Sequence, residues 1–185
     1  PAALARDGCA LARERMEPPA VLRRDDAAGR PARAPTLICE VRVTASARAL
    51  DGDTIAADFR LLGVDAFERR QLCQRGGSCW ECGKAAQDLA ARTLRSAPAE
   101  IHLSSQSSYG RPVASVTVNG RDLGETMINA GLAIPQPQFL KHDPARARRY
   151  ARAFDEARRR KTGAFAGAWI EPAQWRHGSR LRCER

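Results

Sequence analysis

The run Val113-Ala114-Ser115-Val116-Thr117-Val118 stops on Asn119-Gly120, and no other stretch constrains the fold as strongly. An alternating strand pattern followed by Asn-Gly predicts a tight hairpin, because the turn whose twist suits antiparallel strands needs positive φ at both central residues. Asp51-Gly52, inside the extended-looking residues 49–55, is a second turn signal of the same kind. The body of the chain is therefore expected to contain antiparallel β-structure.

Further strand signals start near Leu37, where Ile38, Val41 and Val43 lead an extended stretch, and recur at residues 101–103. The apolar run at 59–64 reads as a buried strand carrying one functional side chain, Arg60. Three helices alternate with these strands. Residues 83–95 place Ala86, Leu89, Ala90, Thr93 and Leu94 on one face. Residues 122–130 begin with Asp122 and Glu125 in a capping-box arrangement and end before Gly131. The third helix has Asp143 as cap, Pro144 in its first turn and Gly163 as its stop, with Ala147, Tyr150, Phe154 and Ala157 facing inward. Its outer face carries a series of arginines. This order predicts an α+β fold, an antiparallel barrel with helices on one side, and it suits a five-stranded OB-fold barrel with about three helices.

The chain has 185 residues, which bounds it to one domain with appendages. Residues 1–36, rich in Ala, Arg and Pro, read as an extended N-terminal arm, 37–170 as the folded domain and 171–185 as a C-terminal tail. The arm is suited to a protein partner. A formal net charge of +10, mostly from arginine, fits a polyanionic partner, although a GC-rich genome yields the same composition. No apolar run approaches the roughly 20 residues that span a bilayer, so no membrane association is expected. Because Pro1 is followed by no charged and apolar leader, a signal peptide is expected to have been removed or never to have existed.

The six cysteines, Cys9, Cys39, Cys73, Cys79, Cys82 and Cys183, are scattered over the whole chain, which suits disulfides in a secreted or periplasmic protein. Cys79-Trp80-Glu81-Cys82 lacks the second pair that a zinc site needs. His102, His142 and His177 have no partner at ligand spacing and are expected at the surface or in structural roles.

Two stretches concentrate the chemistry: Asp51-Gly52-Asp53-Thr54, and Arg60-Leu61-Leu62-Gly63-Val64-Asp65 with Glu68 three residues on. A helix, Tyr109-Gly110-Arg111 and a capped helix running into Ala130-Gly131-Leu132-Ala133 follow in order. In this order and spacing the chain resembles the thermonuclease, or staphylococcal-nuclease-like, family over about residues 41–165. The resemblance implies a Ca²⁺-dependent nuclease that hydrolyses DNA and RNA with low sequence specificity. It implies Asp53 and Asp65 as calcium ligands with the carbonyl of Ala66 as a third, hard oxygens of the kind calcium takes. Glu68 then orients or deprotonates the attacking water. Arg60 and Arg111 clamp the phosphate, and Tyr109 touches it. Read without the family, two carboxylates for a metal, a third for water and two arginines for phosphoryl oxygens form a complete set of roles.

The pattern also has departures. The Asp53 to Arg60 connection is short, which predicts a minimal turn around Ala57-Asp58, and Phe67 stands where the family commonly has proline, which predicts a looser loop before Glu68. Phe139 is a candidate to stack a base where the family often has a tyrosine after Ala133. The cysteine-bearing loop resembles that of secreted bacterial relatives, with bridges expected among Cys73, Cys79 and Cys82 and from them to Cys39, and with Cys183 or Cys9 pinning a terminus. The rival reading is a weak or inactive nuclease-like module that binds nucleic acid or serves as an accessory subunit of a larger assembly.

Overall fold

The computed structural model describes residues 44–184. The chain divides into two units, Pro1–Thr44 and Ala45–Arg185. The expected arm, Cys9, Cys39 and the strand-like residues near Ile38 lie outside the described residues.

Strands β1 (Ala47–Ala49) and β2 (Ile55–Ala57) form an antiparallel pair. Asp51 shapes the turn between them, its Oδ1 accepting hydrogen bonds from the backbone N–H of Thr54 at 2.8 Å and of Asp53 at 3.2 Å. Hydrogen bonding by the Thr54 side chain first, and then by the Asp53 backbone N–H, holds the Asp51 carboxyl below the usual carboxylate range. Asp51 is thus a turn residue.

The expected single strand at 59–64 is instead two short ones, β3 (Arg60–Leu61) and β4 (Val64–Ala66), and neither is fully buried. Gly63, with φ of 68°, turns the chain between them and packs directly under Leu140, leaving no room for a side chain. A hairpin turn at Ala57-Asp58 does not form either. β2 passes through two residues into β3, which joins a different sheet.

A hairpin of β5 (Cys73–Arg75) and β6 (Ser78–Trp80) precedes helix α1 (Cys82–Ser96). The long hairpin of β7 (Ala99–Ser108) and β8 (Arg111–Val118) is the central β-structure. Its turn, Tyr109-Gly110, has φ of 51° and 73°, and Asn119-Gly120 has 50° and 70° before β9 (Arg121–Asp122) pairs back onto β8. Both are two-residue turns with positive φ at both central positions, as the sequence predicts for Asn119-Gly120.

Helix α2 (Leu123–Asn129) is capped by Asp122, which accepts from the N–H of Glu125. β10 (Ala133–Pro135) then pairs antiparallel with β4. Helix α3 (Pro144–Arg159) is capped by Asp143 as expected, but it ends before Gly163. Lys161 takes the left-handed conformation, φ 54°, while Thr162 N–H bonds to Ala157 O and Lys161 N–H to Arg158 O. That paired pattern closes the helix one turn early. A fourth helix, α4 (Pro172–Arg176), follows within the residues expected as a tail.

Among the described residues the strands fall into four small sheets, β1-β2, β4-β10, β5-β6 and β3-β8-β7 with β9 also on β8. The β3–β8 pair is parallel, which the expectation of an antiparallel barrel did not include. The main core joins Val116, Val118, Met127, Ile128, Leu140 and Tyr150, and a second cluster holds Phe67, Ile134, Ala157 and Phe165. The inward residues expected of α3 are in these clusters or against them.

Candidate active site

Parallel pairing sets Arg60 of β3 opposite Val113 of β8, and Arg111 lies two residues before Val113. Opposite residues share a face of a sheet, and so do residues two apart on a strand. Arg60 and Arg111 therefore project from the same face of adjacent strands. The Arg60 guanidinium lies 5.4 Å from the ring centroid of Tyr109, which the turn leaves 90% exposed. Neither arginine has a carboxylate partner among the described residues, and the buried Arg60 Nε has no hydrogen-bond partner. A recess of about 40 Å³ beside Arg60 is lined by Gly63, Gln106 and the half-exposed Phe139.

The carboxylates are held by a different set of contacts. Asp65 lies in β4 opposite Ile134 of β10. Phe67 is 3% exposed, its N–H donates to Leu132 O at 3.3 Å, and its ring meets Trp169 edge-on at 5.9 Å. The loop before Glu68 is thus anchored by an aromatic contact, where the lack of proline predicts looseness. Gln71, fully buried, holds Glu68 from the other side. Its Oε1 accepts from the Glu68 N–H at 3.1 Å, its own N–H donates to Glu68 O at 2.7 Å, and its Nε2 donates to Ile170 O at 2.6 Å. Gly83 completes the support, because a Cβ there would strike the Glu68 carbonyl. The Cys73–Cys82 disulfide, buried beside it, ties the loop to the start of α1.

Arg176 of α4 joins the two carboxylates. Its Nη1 and Nη2 reach Asp65 Oδ1 and Oδ2 at 3.0 and 2.9 Å, and Nη1 also reaches Glu68 Oε1 at 2.6 Å. This two-pronged geometry is what a planar guanidinium offers a carboxylate. The hydrogen bond to Asp65, and then the one to Glu68, push the Arg176 guanidinium further up from its already high value, so it stays charged.

Asp53 stands elsewhere, exposed at the tip of the β1–β2 turn, where its carboxylate accepts only the Thr54 hydroxyl, at 3.4 Å, among the described residues. No three His, Cys, Asp or Glu side chains gather to hold a metal ion among the described residues. Asp65 and the neighbouring Ala66 carbonyl are hard donors suited to calcium. As arranged, however, both oxygens of Asp65 are occupied by Arg176 and the residues do not fit a calcium centre. The site residues expected from sequence therefore sit on three stretches of the chain: Asp65, Ala66 and Glu68 in and just after β4, Arg60, Arg111 and Tyr109 on β3, β8 and the β7–β8 turn, and Asp53 on the β1–β2 turn.

Sequence reasoning missed Arg176 and Gln71. Glu171-Pro172 is a helix-start signal that could have marked the tail as structured, but nothing local marks Gln71. The expected bridges are partly seen: Cys73 pairs with Cys82 within the loop, and Cys183 pins the C-terminal end to Cys79. His102 is exposed on β7, and none of the three histidines joins a metal-holding group among the described residues.

The family model described as staphylococcal nuclease homologue matches residues 58–166, more than half of the chain. No curated protein matches. The matched span includes Arg60, Asp65, Glu68, Tyr109 and Arg111, and excludes Asp53 and Arg176. The order of turns, strands and capped helices and the matched span lead to one assignment: the chain belongs to the staphylococcal nuclease homologue family.

Proposed function

We propose that this protein is a nuclease that hydrolyses phosphodiester bonds of DNA and RNA with low sequence specificity. The observation that carries the reading is the pair Arg60 and Arg111 on one face of β3–β8, free of carboxylates among the described residues and flanked by exposed Tyr109. Two guanidinium groups there suit the non-bridging oxygens of a phosphate, whose negative charge spreads as the phosphoryl group is transferred. Glu68 is the residue to orient or deprotonate the water that attacks phosphorus. As the new oxygen–phosphorus bond forms, the bond to the departing oxygen breaks, and Arg111 is the donor suited to that oxygen. Phe139, at the recess beside Arg60, suits a stacked base.

Calcium dependence, with Asp53, Asp65 and Ala66 as ligands, is the finer reading that family membership supports, and it requires Arg176 to leave Asp65. The two disulfides support a secreted or periplasmic location. No described helix is long and apolar enough to cross a membrane.

The test is cleavage of single- and double-stranded nucleic acid at saturating calcium and in chelator, repeated with Glu68→Gln and Arg111→Ala. Each variant is expected to lose about 100-fold or more in rate, the scale seen when one transition-state donor is removed. Full activity in both variants refutes the assignment. A second reading, a module that binds nucleic acid without cutting it, is favoured by the neutralisation of Asp65 and Glu68 by Arg176. It predicts binding that falls steeply with salt and no cleavage under any of these conditions.

A further inference from the structure

Residues 136–143 lead from the recess beside Arg60 to the start of α3. Gln136 N–H donates to Gly63 O at 2.8 Å, Gln106 Nε2 donates to Phe139 O at 3.1 Å, and Leu140 packs over Gly63. Leu140 O then accepts from Asp143 N–H at 3.0 Å, and Asp143 caps the helix. These contacts fix the segment, and Lys141 and His142 are exposed on it. We propose that Lys141, Arg148 and Arg152 form a track for the sugar–phosphate backbone of a nucleic-acid strand, continuing from the recess beside Arg60 along the outer face of α3. The proposal rests on a strand being held at Arg60 and Arg111 and not on its being cut.

α3 carries six arginines against two carboxylates, and most of the arginines are engaged within the fold. Arg146 reaches Asp122 and Asp143, Arg149 reaches Glu125, Arg159 pairs with Glu156, and Arg158 lies 5.5 Å from the ring centroid of Phe154. Arg148 and Arg152 differ: both are exposed, and neither has a carboxylate partner among the described residues. At about 3.6 residues per turn they share the face opposite the buried Tyr150, Ala153 and Ala157. Four residues apart, they follow one another about 6 Å along the helix axis. The exposed Ala145 and Ala151 beside them leave room for a backbone to approach, and Asp155, exposed on the next turn, bounds the track. A guanidinium free of internal carboxylates can pair with a phosphate in the two-pronged geometry, whereas one already engaged must first break a contact. Phosphate contacts of this kind position a strand without reading its bases, in keeping with low sequence specificity.

Binding of labelled single-stranded oligonucleotides to the full chain is measured by fluorescence anisotropy in chelator over a range of salt, with strand integrity checked by electrophoresis. Arg148→Ala/Arg152→Ala is compared with the wild type and with Arg92→Ala/Arg95→Ala, which removes two exposed charges from α1. Alanine favours the helix, and circular dichroism confirms that each variant keeps its fold. For a strand of about 20 nucleotides, Arg148→Ala/Arg152→Ala is expected to bind about tenfold more weakly and to lower the slope of log affinity against log salt by about 1.4, the loss of two single-strand phosphate contacts. Adding Lys141→Ala is expected to lower both further. For a strand of about four nucleotides, measured at low salt, affinity is expected to stay near that of the wild type, because the groups around Arg60 fill it. The α1 variant is expected to bind both strands as the wild type does. An unchanged salt slope in Arg148→Ala/Arg152→Ala overturns the proposal, as does an equal loss for the short strand, an equal loss in the α1 variant, or a wild type that binds neither strand. If the expected losses appear but the wild type cuts nothing with calcium, the track stands and the nuclease reading fails. If Glu68→Gln loses cleavage while the salt slope is unchanged, the nuclease reading stands and the track fails.

Discussion

Gln71→Leu tests how the Glu68 loop is supported. Gln71 is fully buried and its side-chain amide makes two hydrogen bonds, accepting from the Glu68 N–H at 3.1 Å and donating to the Ile170 carbonyl at 2.6 Å. Leucine is similar in size and can make neither. Each backbone group left facing an apolar side chain costs about 1–3 kcal/mol, or about 4 kcal/mol for both at the middle of that range. Burying leucine in place of an amide returns about 1.5 kcal/mol. The expected net loss is about 2.5 kcal/mol, a roughly 70-fold shift in the folding equilibrium. Urea denaturation followed by tryptophan fluorescence measures it, since Trp169 and Trp175 lie in the segment that Gln71 holds. Gln71→Glu serves as a control. It keeps an acceptor for Glu68 but turns a carboxylate oxygen toward the Ile170 carbonyl, so it is destabilised at neutral pH and recovers once that carboxyl is protonated in acid. A loss below about 0.5 kcal/mol for Gln71→Leu, with an unchanged urea slope, refutes the reasoning.

Three further outcomes are expected. Tyr150→Phe removes the 2.7 Å hydrogen bond that the buried phenol donates to Asp122 and costs about 1.5–3 kcal/mol at pH 7 in the same urea assay. Burial, and then the Asp122 charge, push the Tyr150 phenol far above its ordinary value of 10.0. The unfolded chain therefore loses that proton first, so the contribution is complete below about pH 10 and fades as pH climbs further. Denaturation midpoints of the wild type should fall more steeply above pH 10 than those of Tyr150→Phe, and parallel curves would contradict this. Gly83→Ala forces a Cβ against the Glu68 carbonyl, so it should destabilise by about 1–3 kcal/mol in thermal melts and reduce cleavage by displacing Glu68. Lys161→Gly should stabilise by about 0.5–1 kcal/mol, because the left-handed conformation of Lys161 costs about 1–2 kcal/mol in a side-chain-bearing residue and glycine gives back part of that in unfolded-state entropy. A melt that moves down for Lys161→Gly would show that this strain is not stored there.

Much of the secondary structure was legible in the sequence. Asn119-Gly120 closes a hairpin, and Asp122 and Asp143 cap helices that start where their spacing to Glu125 and Pro144 predicts. Such signals act through backbone dihedrals and hydrogen bonds reaching only a few residues along the chain, so they survive without tertiary context. The apolar run at 59–64 reads as one strand because its turn is marked only by Gly63, and a lone glycine also occurs inside strands; the positive φ it takes there is what splits the run. The early end of α3 was hidden because lysine at a left-handed position has no sequence signature.

For the site, residue types and order were written in the sequence: two arginines, two carboxylates in and beyond β4, and a tyrosine on a turn, enough to indicate phosphodiester chemistry. Their neighbours were not. Arg176 meets Asp65 across 111 positions and Gln71 meets Ile170 across 99. Contacts of that separation depend on how α4 and the disulfide to Cys183 fold back over β4, and no local pattern encodes them. The sequence by itself determined which groups could act on a phosphate. Only the tertiary structure decided that the carboxylates among them already hold a cation supplied by the chain, because charges pair by distance in space and not by position along the backbone.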